Sequence, residues 1–380
     1  MPKLVALDIP GGDLFVSSLQ RIWDEGDAAF PVDQRLPFEE RSRLIERMGA
    51  SKVITPDSEQ DRKGYPVENG DALVVATSGT GGSPKGVVLT HDAVAASAKM
   101  TSDSLLIDPE RDRWLCCIPV SHIGGLSVVT RALLTGTEVE VHSKFSASAC
   151  EKSGRSESTL VSLVVTATQR IDVSLFRKVL VGGSSIPIDL PPNVVATYGM
   201  TETASGVVYD GIPLEGVEIK IIDGQILIKS PSLLRCYRNE VSPFTDGGWF
   251  PTGDGGEFDK DGKLKVFGRI DHVIVSGGEM IWPASVERAL LGLSWVNEAA
   301  VVGNPDEEWG EMVTAFVVPS DKETAESLEQ TREALSEVLP RFALPRALHI
   351  VSALPKTTSG KVAKKRLLSG SEFDNPISGD

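Results

Sequence analysis

Positive charge is the first shortage in this chain. Its 38 Lys and Arg stand against 53 Asp and Glu, for a formal net charge of −15 at pH 7. Nonspecific nucleic-acid binding needs a surplus of cations to displace condensed counterions, so that class is excluded. A polyphosphate ligand would require the few cations to be concentrated locally, or a metal ion to be borrowed. Cysteine is scarce too. The four (Cys116, Cys117, Cys150, Cys236) show no CxxC spacing and are too sparse for a disulfide scaffold. No run of 18 apolar residues exists, so no membrane span is expected. The N-terminal "MPKLVALDIPGGDLF" has no basic region leading into an apolar stretch and a small-residue cleavage site. It reads as no secretory leader, and a reduced, cytoplasmic setting is the expectation.

What is present describes an ordinary soluble globular protein. Apolar residues make up 41% and charged residues 24%. At 380 residues the chain exceeds the size at which one core stops growing, so two domains are expected. Short β-branched runs at 72–76, 113–120, 138–142, 159–165 and 178–183 alternate with helical patterns such as 90–106. That alternation predicts parallel strands with crossover helices. From 207 to 270 short strands with Gly and Asp turns predict an antiparallel, barrel-like segment. After 270, "WPASVERALLGL" opens with Pro283 at a first helical position. A strand at "VNEAAVVG", an amphipathic helix over 323–339 with Ala325, Leu328, Leu335 and Val338 on one side, and a strand at "LHIV" follow. The fold class is therefore α/β: a large N-terminal domain (1–270) of layered α/β parts plus the barrel-like segment, and a smaller mobile α+β domain (271–380). The stretch 147–160 reads as a surface turn, and the tail from about 370 as disordered. Self-association is compatible with the sequence and not specified by it.

The most informative stretch is "TSGTGGSPKG" at 77–86. A Walker loop needs GxxxxGK followed by Ser or Thr, but Lys85 follows Pro84 and precedes Gly86. The dinucleotide fingerprint fails as well, since after Gly79 and Gly81 the third glycine position holds Pro84. The physics of anion binding is still present. Consecutive small residues expose backbone N–H groups that form an anion-binding concavity, and Lys85 adds charge. A plain Gly/Ser connector is the alternative for the loop alone.

Four stretches in order, "TSGTGGSPKGVVLTH", "YGMTETASG" at 198–206, "WFPTGDGGEFDKDGKLKVFGRIDHVIVSGGEMIWPASVE" at 249–287 and "LPKTTSGKVAKKRL" at 354–367, resemble the motifs of the adenylate-forming enzymes. That superfamily includes acyl- and aryl-CoA synthetases, luciferases and peptide-synthetase adenylation domains. The resemblance runs from about 70 to 368 and implies ATP, Mg²⁺ and CoA as co-substrates and cofactor, a small carboxylic acid as partner, and acid–thiol ligase activity through an acyl-adenylate. It assigns Thr77, Ser78, Gly79, Thr80, Gly81, Gly82 and Lys85 to the phosphates, and Gly183, Ser184, Tyr198 and Gly199 to the adenine side. Asp254 and Arg269 go to the ribose and phosphate. Thr201 and Glu202 fall near the α-phosphate, with Glu202 as the Mg²⁺ ligand. Asp271 falls at the hinge, Gly277 and Gly278 at the channel for CoA, and Lys361 at the adenylation lysine. Alone, "KVAKKR" would read as a basic surface tail, "YGMTE" as a turn before a capped helix, and Gly-Asp-Gly-Gly as a turn.

The acid is narrowed by further likeness. "VSLVVTATQRI" at 161–171 and "WLCCIPVSHIGGLSVVTRALLTG" at 114–136 resemble the o-succinylbenzoate–CoA ligase branch, which serves menaquinone biosynthesis. About 70 residues precede the phosphate loop, fewer than most members carry. The acid would meet His122, which lines or gates the pocket and is counted with the catalytic residues, together with Ser127, Arg131 and Thr166. An ion pair with surface carboxylates is the alternative for Arg131. Departures from the branch are Val165 and Ala167 around Thr166, Cys236 before Tyr237, and Val275 after the hinge. Another aryl- or acyl-CoA ligase, or a nucleotide-binding protein without catalysis, are the competing readings.

Overall fold

The computed structural model describes residues 1–77, 84–183, 190–238, 242–321, 324–356 and 362–368. Ser78, Gly79, Thr80, Gly81, Gly82, Ser184, Lys361 and the C-terminal tail lie outside the described residues.

Two seven-stranded sheets carry the larger part. In the first the strand order is Cys236–Tyr237, Lys85–Thr90, Asp71–Thr77, Ala28–Pro31, Leu4–Leu7, Lys52–Ile54 and Glu59–Asp61. In the second it is Ile212–Pro213, Ser205–Tyr209, Val194–Met200, Lys178–Gly182, Leu160–Val164, Arg113–Cys116 and Glu138–Val141. The five strands from Val194–Met200 to Glu138–Val141 pair parallel, as the strand–helix alternation predicts. Side chains alternate across a strand, so Val5 and Leu7 enter one core while Leu4 and Ala6 enter another. The first of these cores is shared by both sheets. It draws on Leu73 and Val87 from one sheet, Trp114 and Leu180 from the other, and helices Asp13–Asp24, His91–Leu105 and Ile123–Thr135. A helix enclosed on two sides needs apolar residues all round, and Gly125 to Ala132 are buried without a break.

Residues 207–269 give an antiparallel sheet of Glu218–Ile222, Gln225–Lys229, Phe250–Phe258 and Leu264–Arg269. The later part is a further sheet of Glu279–Ile281, Ile274–Ser276, Gly310–Pro319, Val296–Asp306 and Ala347–Ile350, packed with helix Pro283–Leu291. Its two buried clusters use residues 274–367 only.

Two local expectations fail for identifiable reasons. The supposed turn at 147–160 contains a helix, Ala147–Ser156, capped by the Ser146 hydroxyl. Its inward face is built of small residues, Cys150, Ser153 and Gly154, the last close against Phe176. Such a face carries almost no hydrophobic signal. The helix expected over 323–339 is Leu328–Leu335, started by a capping box of Ser327 and Gln330. Pro340 bars its continuation, and Val338 is exposed beyond its end.

Candidate active site

Three polar clusters gather at the sequence-predicted residues. The first holds Tyr198, Asp254 and Arg269. Adjacent strands Phe250–Phe258 and Leu264–Arg269 make Asp254 and Arg269 register partners. The Tyr198 hydroxyl donates to Asp254 Oδ2 at 2.9 Å, and Arg269 Nη1 lies 3.8 Å from Asp254 Oδ1. Arg269 also donates to the Thr252 carbonyl at 2.9 Å and to Asp271 at 3.2 Å. Burial, reinforced by the Asp254 charge, pushes the Tyr198 phenol well above its usual range, so it stays a donor. Gly199 follows at a register shift between strands, where an added Cβ would lie 2.2 Å from the Ser205 carbonyl oxygen. Only glycine fits there.

The second cluster joins the two ends of the glycine loop to the acidic motif. Thr77 and Lys85 are cross-strand partners in a hairpin, so the loop between them springs from one point. Lys85 Nζ stands 4.9 Å from the centre of the Tyr237 ring. The Tyr237 hydroxyl in turn donates to Glu202 Oε1 at 2.9 Å. Glu202 sits on a short 3₁₀ turn, Thr201–Thr203, pinned by Leu234 N–H donating to the Glu202 carbonyl.

The third cluster surrounds Arg131. Ser127 and Arg131 are four residues apart on helix Ile123–Thr135 and so share a face. Arg131 is 1% exposed, and its guanidinium lies 4.8 Å from the Trp114 ring. Nη2 donates to Ser205 Oγ at 3.3 Å, and Ser205 Oγ donates to Ser127 Oγ at 3.3 Å. Nε and Nη1 are buried without a hydrogen-bond partner among the described residues, as is Trp114 Nε1. Burial lowers the Arg131 affinity for its proton, the neighbouring Tyr209 opposing the effect. An arginine nonetheless remains charged. The surface ion pair considered as an alternative for Arg131 does not occur among the described residues.

Other predicted residues fall apart from these groups. Thr166 is exposed on the short helix Val165–Thr168. Gly183 takes a positive φ at the edge of the described residues. Gly277 and Gly278, at φ 59° and 85°, form the two-residue turn between strands Ile274–Ser276 and Glu279–Ile281. Such a turn takes left-handed backbone at both positions, so its geometry by itself favours glycine here. His122 caps the amino end of helix Ile123–Thr135 and meets Asp33 and Arg35. Those two, with Ser205 and Trp114, were not singled out by sequence reasoning. They reach the site through tertiary folding, and no motif marks them.

No group of three or more His, Cys, Asp or Glu suited to a metal occurs among the described residues. That accords with Mg²⁺, which takes one carboxylate and completes its shell with water and phosphate oxygens. No helix among the described residues is long and apolar enough to cross a membrane.

Residues 36–238 match the family model "AMP-binding enzyme", and 285–361 match "AMP-binding enzyme C-terminal domain". A probable 2-succinylbenzoate–CoA ligase of Mycobacterium tuberculosis is 35% identical, covering 96% of this chain and 97% of its own length. The 2-succinylbenzoate–CoA ligase of Enterococcus faecalis is 34% identical over 78% and 69% of the two chains. The o-succinylbenzoate CoA synthetase of Bacillus subtilis, solved with its acyl-adenylate intermediate, superposes with a TM-score of 0.85 at 28% identity, over 98% of this chain and 89% of that one. The same enzyme has been solved with ATP and magnesium ion. By the matched models, the identity and the coverage, this chain belongs to the AMP-binding enzyme family.

Proposed function

We propose that the chain is an ATP-dependent acid–CoA ligase whose acid is 2-succinylbenzoate, yielding 2-succinylbenzoyl-CoA, AMP and diphosphate in menaquinone biosynthesis. One acid oxygen attacks the α-phosphorus of ATP, the bond to the bridging oxygen breaks, and diphosphate leaves. The CoA thiol sulfur then attacks the acyl carbon, its proton is lost, and AMP departs. Both steps bring anions together, so positioning and charge neutralisation carry the catalysis.

The observation that supports this acid is Arg131. A dianionic acid needs a cation for the carboxylate that does not react, and buried Arg131 has Nε and Nη1 without a hydrogen-bond partner among the described residues. Ser127 and Ser205 add hydroxyls on the same side. A fatty or simple benzoic acid would leave those donors as they are in the free protein and forgo the charge-assisted contact. Asp254 would accept from the ribose hydroxyls, with Tyr198 against adenine and Arg269 toward ribose or phosphate. Glu202 would hold Mg²⁺, which neutralises phosphate charge when bound. Lys85 and the loop 77–82 would hold the leaving diphosphate. Thr201, Gly183, Ser184 and Gly199 complete the nucleotide side, and Lys361 supplies the cation for adenylation. Thr166, exposed as it stands, is the weakest of the acid-binding assignments. The domain boundary at 270/271 with Asp271 as hinge, and the passage of CoA by Gly277 and Gly278, belong to the same reading.

The test is a panel of acids with ATP, Mg²⁺ and CoA, followed by thioester and AMP formation. The expected outcome is strong preference for 2-succinylbenzoate. Preference for a plain fatty or benzoic acid would overturn the substrate, and absence of acid-dependent diphosphate release with every acid would overturn the activity.

A further inference from the structure

Asp33 and Arg35 precede every motif that carries the family resemblance, yet they touch one of its residues. Strands Leu4–Leu7 and Ala28–Pro31 run parallel and end together, leaving Asp8 and Asp33 at the carboxyl edge of the first sheet. Both carboxylates are nearly buried. Gln34 donates to Asp8 at 2.7 Å and Arg41 lies 3.5 Å from it, so Asp8 has its own partners. Arg35 is left to Asp33 and grips it with a fork: Nε to Oδ1 at 2.9 Å and Nη2 to Oδ2 at 2.7 Å. The Arg35 backbone N–H donates to the same carboxylate at 3.1 Å. Against this rigid pair lies His122, its Nε2 2.5 Å from Arg35 Nη2 and 3.4 Å from Asp33 Oδ2. The two contacts are alternatives. A bare Nε2 accepts from Arg35, whereas a protonated Nε2 donates to Asp33. The pair can therefore hold the ring in either form.

We infer that Asp33 and Arg35 are positioning residues for the acid pocket, acting through His122 on the amino end of the helix that carries Ser127 and Arg131. This rests on the proposed reading of His122 and Arg131 as acid-side residues. His122 is the N-cap residue of that helix, and its ring meets Asp33 and Arg35 in the segment after strand Ala28–Pro31. Holding the ring there would fix the start of the helix relative to the guanidinium further along it.

The test is a kinetic double-mutant cycle on the full chain. Asp33→Asn should raise KM for 2-succinylbenzoate about tenfold, with kcat and KM for ATP within about twofold. Asp33→Glu, which restores the carboxylate, should recover most of the loss. Arg35→Lys keeps the charge but not the fork and should reproduce the rise, providing a second route if Asp33→Asn folds poorly. In a His122→Ala background, Asp33→Asn should add less than about twofold. Full additivity, or a parallel fall in kcat and a rise in every KM, would overturn the positioning role in favour of a general structural one. If His122→Ala alone leaves KM for the acid unchanged, the premise about His122 fails instead, and the inference with it.

Discussion

On the side we propose for the nucleotide, Asp254 is answered by Tyr198 and Arg269 before any ligand arrives. On the side we propose for the acid, Arg131 lies buried against the Trp114 ring with Nε and Nη1 unmatched among the described residues. The first arrangement is stable by itself, and a ribose must exchange partners with it. The second leaves donors unmatched in the free protein, and an anion placed beside them would satisfy them. Selectivity should therefore be concentrated on the acid side, because only an acid with a second anionic group gains a charge-assisted contact with those donors.

The largest effect should come from Arg131→Met. Loss of a buried charge-assisted contact should lower kcat/KM for 2-succinylbenzoate by on the order of 100-fold or more. An analogue without the second carboxylate should lose less than about tenfold. Thermal stability should stay level or rise, because a buried cation with no carboxylate partner among the described residues has gone. Equal losses for both acids would show that the guanidinium serves packing, and would break the contrast between the two sides.

Next in size is Asp254→Asn. The amide still offers Tyr198 an acceptor but no charge to Arg269, so KM for ATP should rise about tenfold with KM for the acid unmoved. A matching rise in both would mean the sides are coupled. A smaller effect should follow Tyr237→Phe, which removes the donor to Glu202 Oε1 and leaves the ring under Lys85. A few-fold greater requirement for Mg²⁺ is expected in titrations at fixed ATP.

The two sides also differ in how much of them could be read from the chain. Nucleotide residues sit in contiguous glycine- and acid-rich motifs, because backbone approach to phosphate demands glycine and ribose demands a carboxylate at fixed spacing. Even there, Gly277 and Gly278 show that a motif glycine can be favoured by its turn alone. On the acid side Arg131 was legible as a cation four residues after Ser127, but its isolation was not. Isolation depends on which residues tertiary folding brings near, here Trp114, Ser205 and Tyr209 from other strands. Asp33 and Arg35 carried no signal at all. The strand–helix alternation was plain from β-branched runs, while helix Ala147–Ser156 hid behind a face of small residues.

Asp33 closes the comparison, since it is an acid-side charge that is answered. Burial alone would raise its carboxyl, but hydrogen bonds from His122 and Arg35 outweigh burial and hold it well below the ordinary carboxylate range. The folded state thus favours the ionised form. Its contribution to stability is complete above the ordinary value of 3.8 and is lost as pH falls from there through the folded value. The difference in melting temperature between the parent chain and Asp33→Asn should accordingly be constant from about pH 7 to pH 5 and shrink at lower pH. A difference that grows on acidification would reverse the sign and show that the side chain is held as the neutral acid. Arg131→Met has no such titration to lose, so its melting-temperature difference from the parent should be flat over the same range. One charge is stabilised by partners already present; the other keeps Nε and Nη1 unmatched among the described residues.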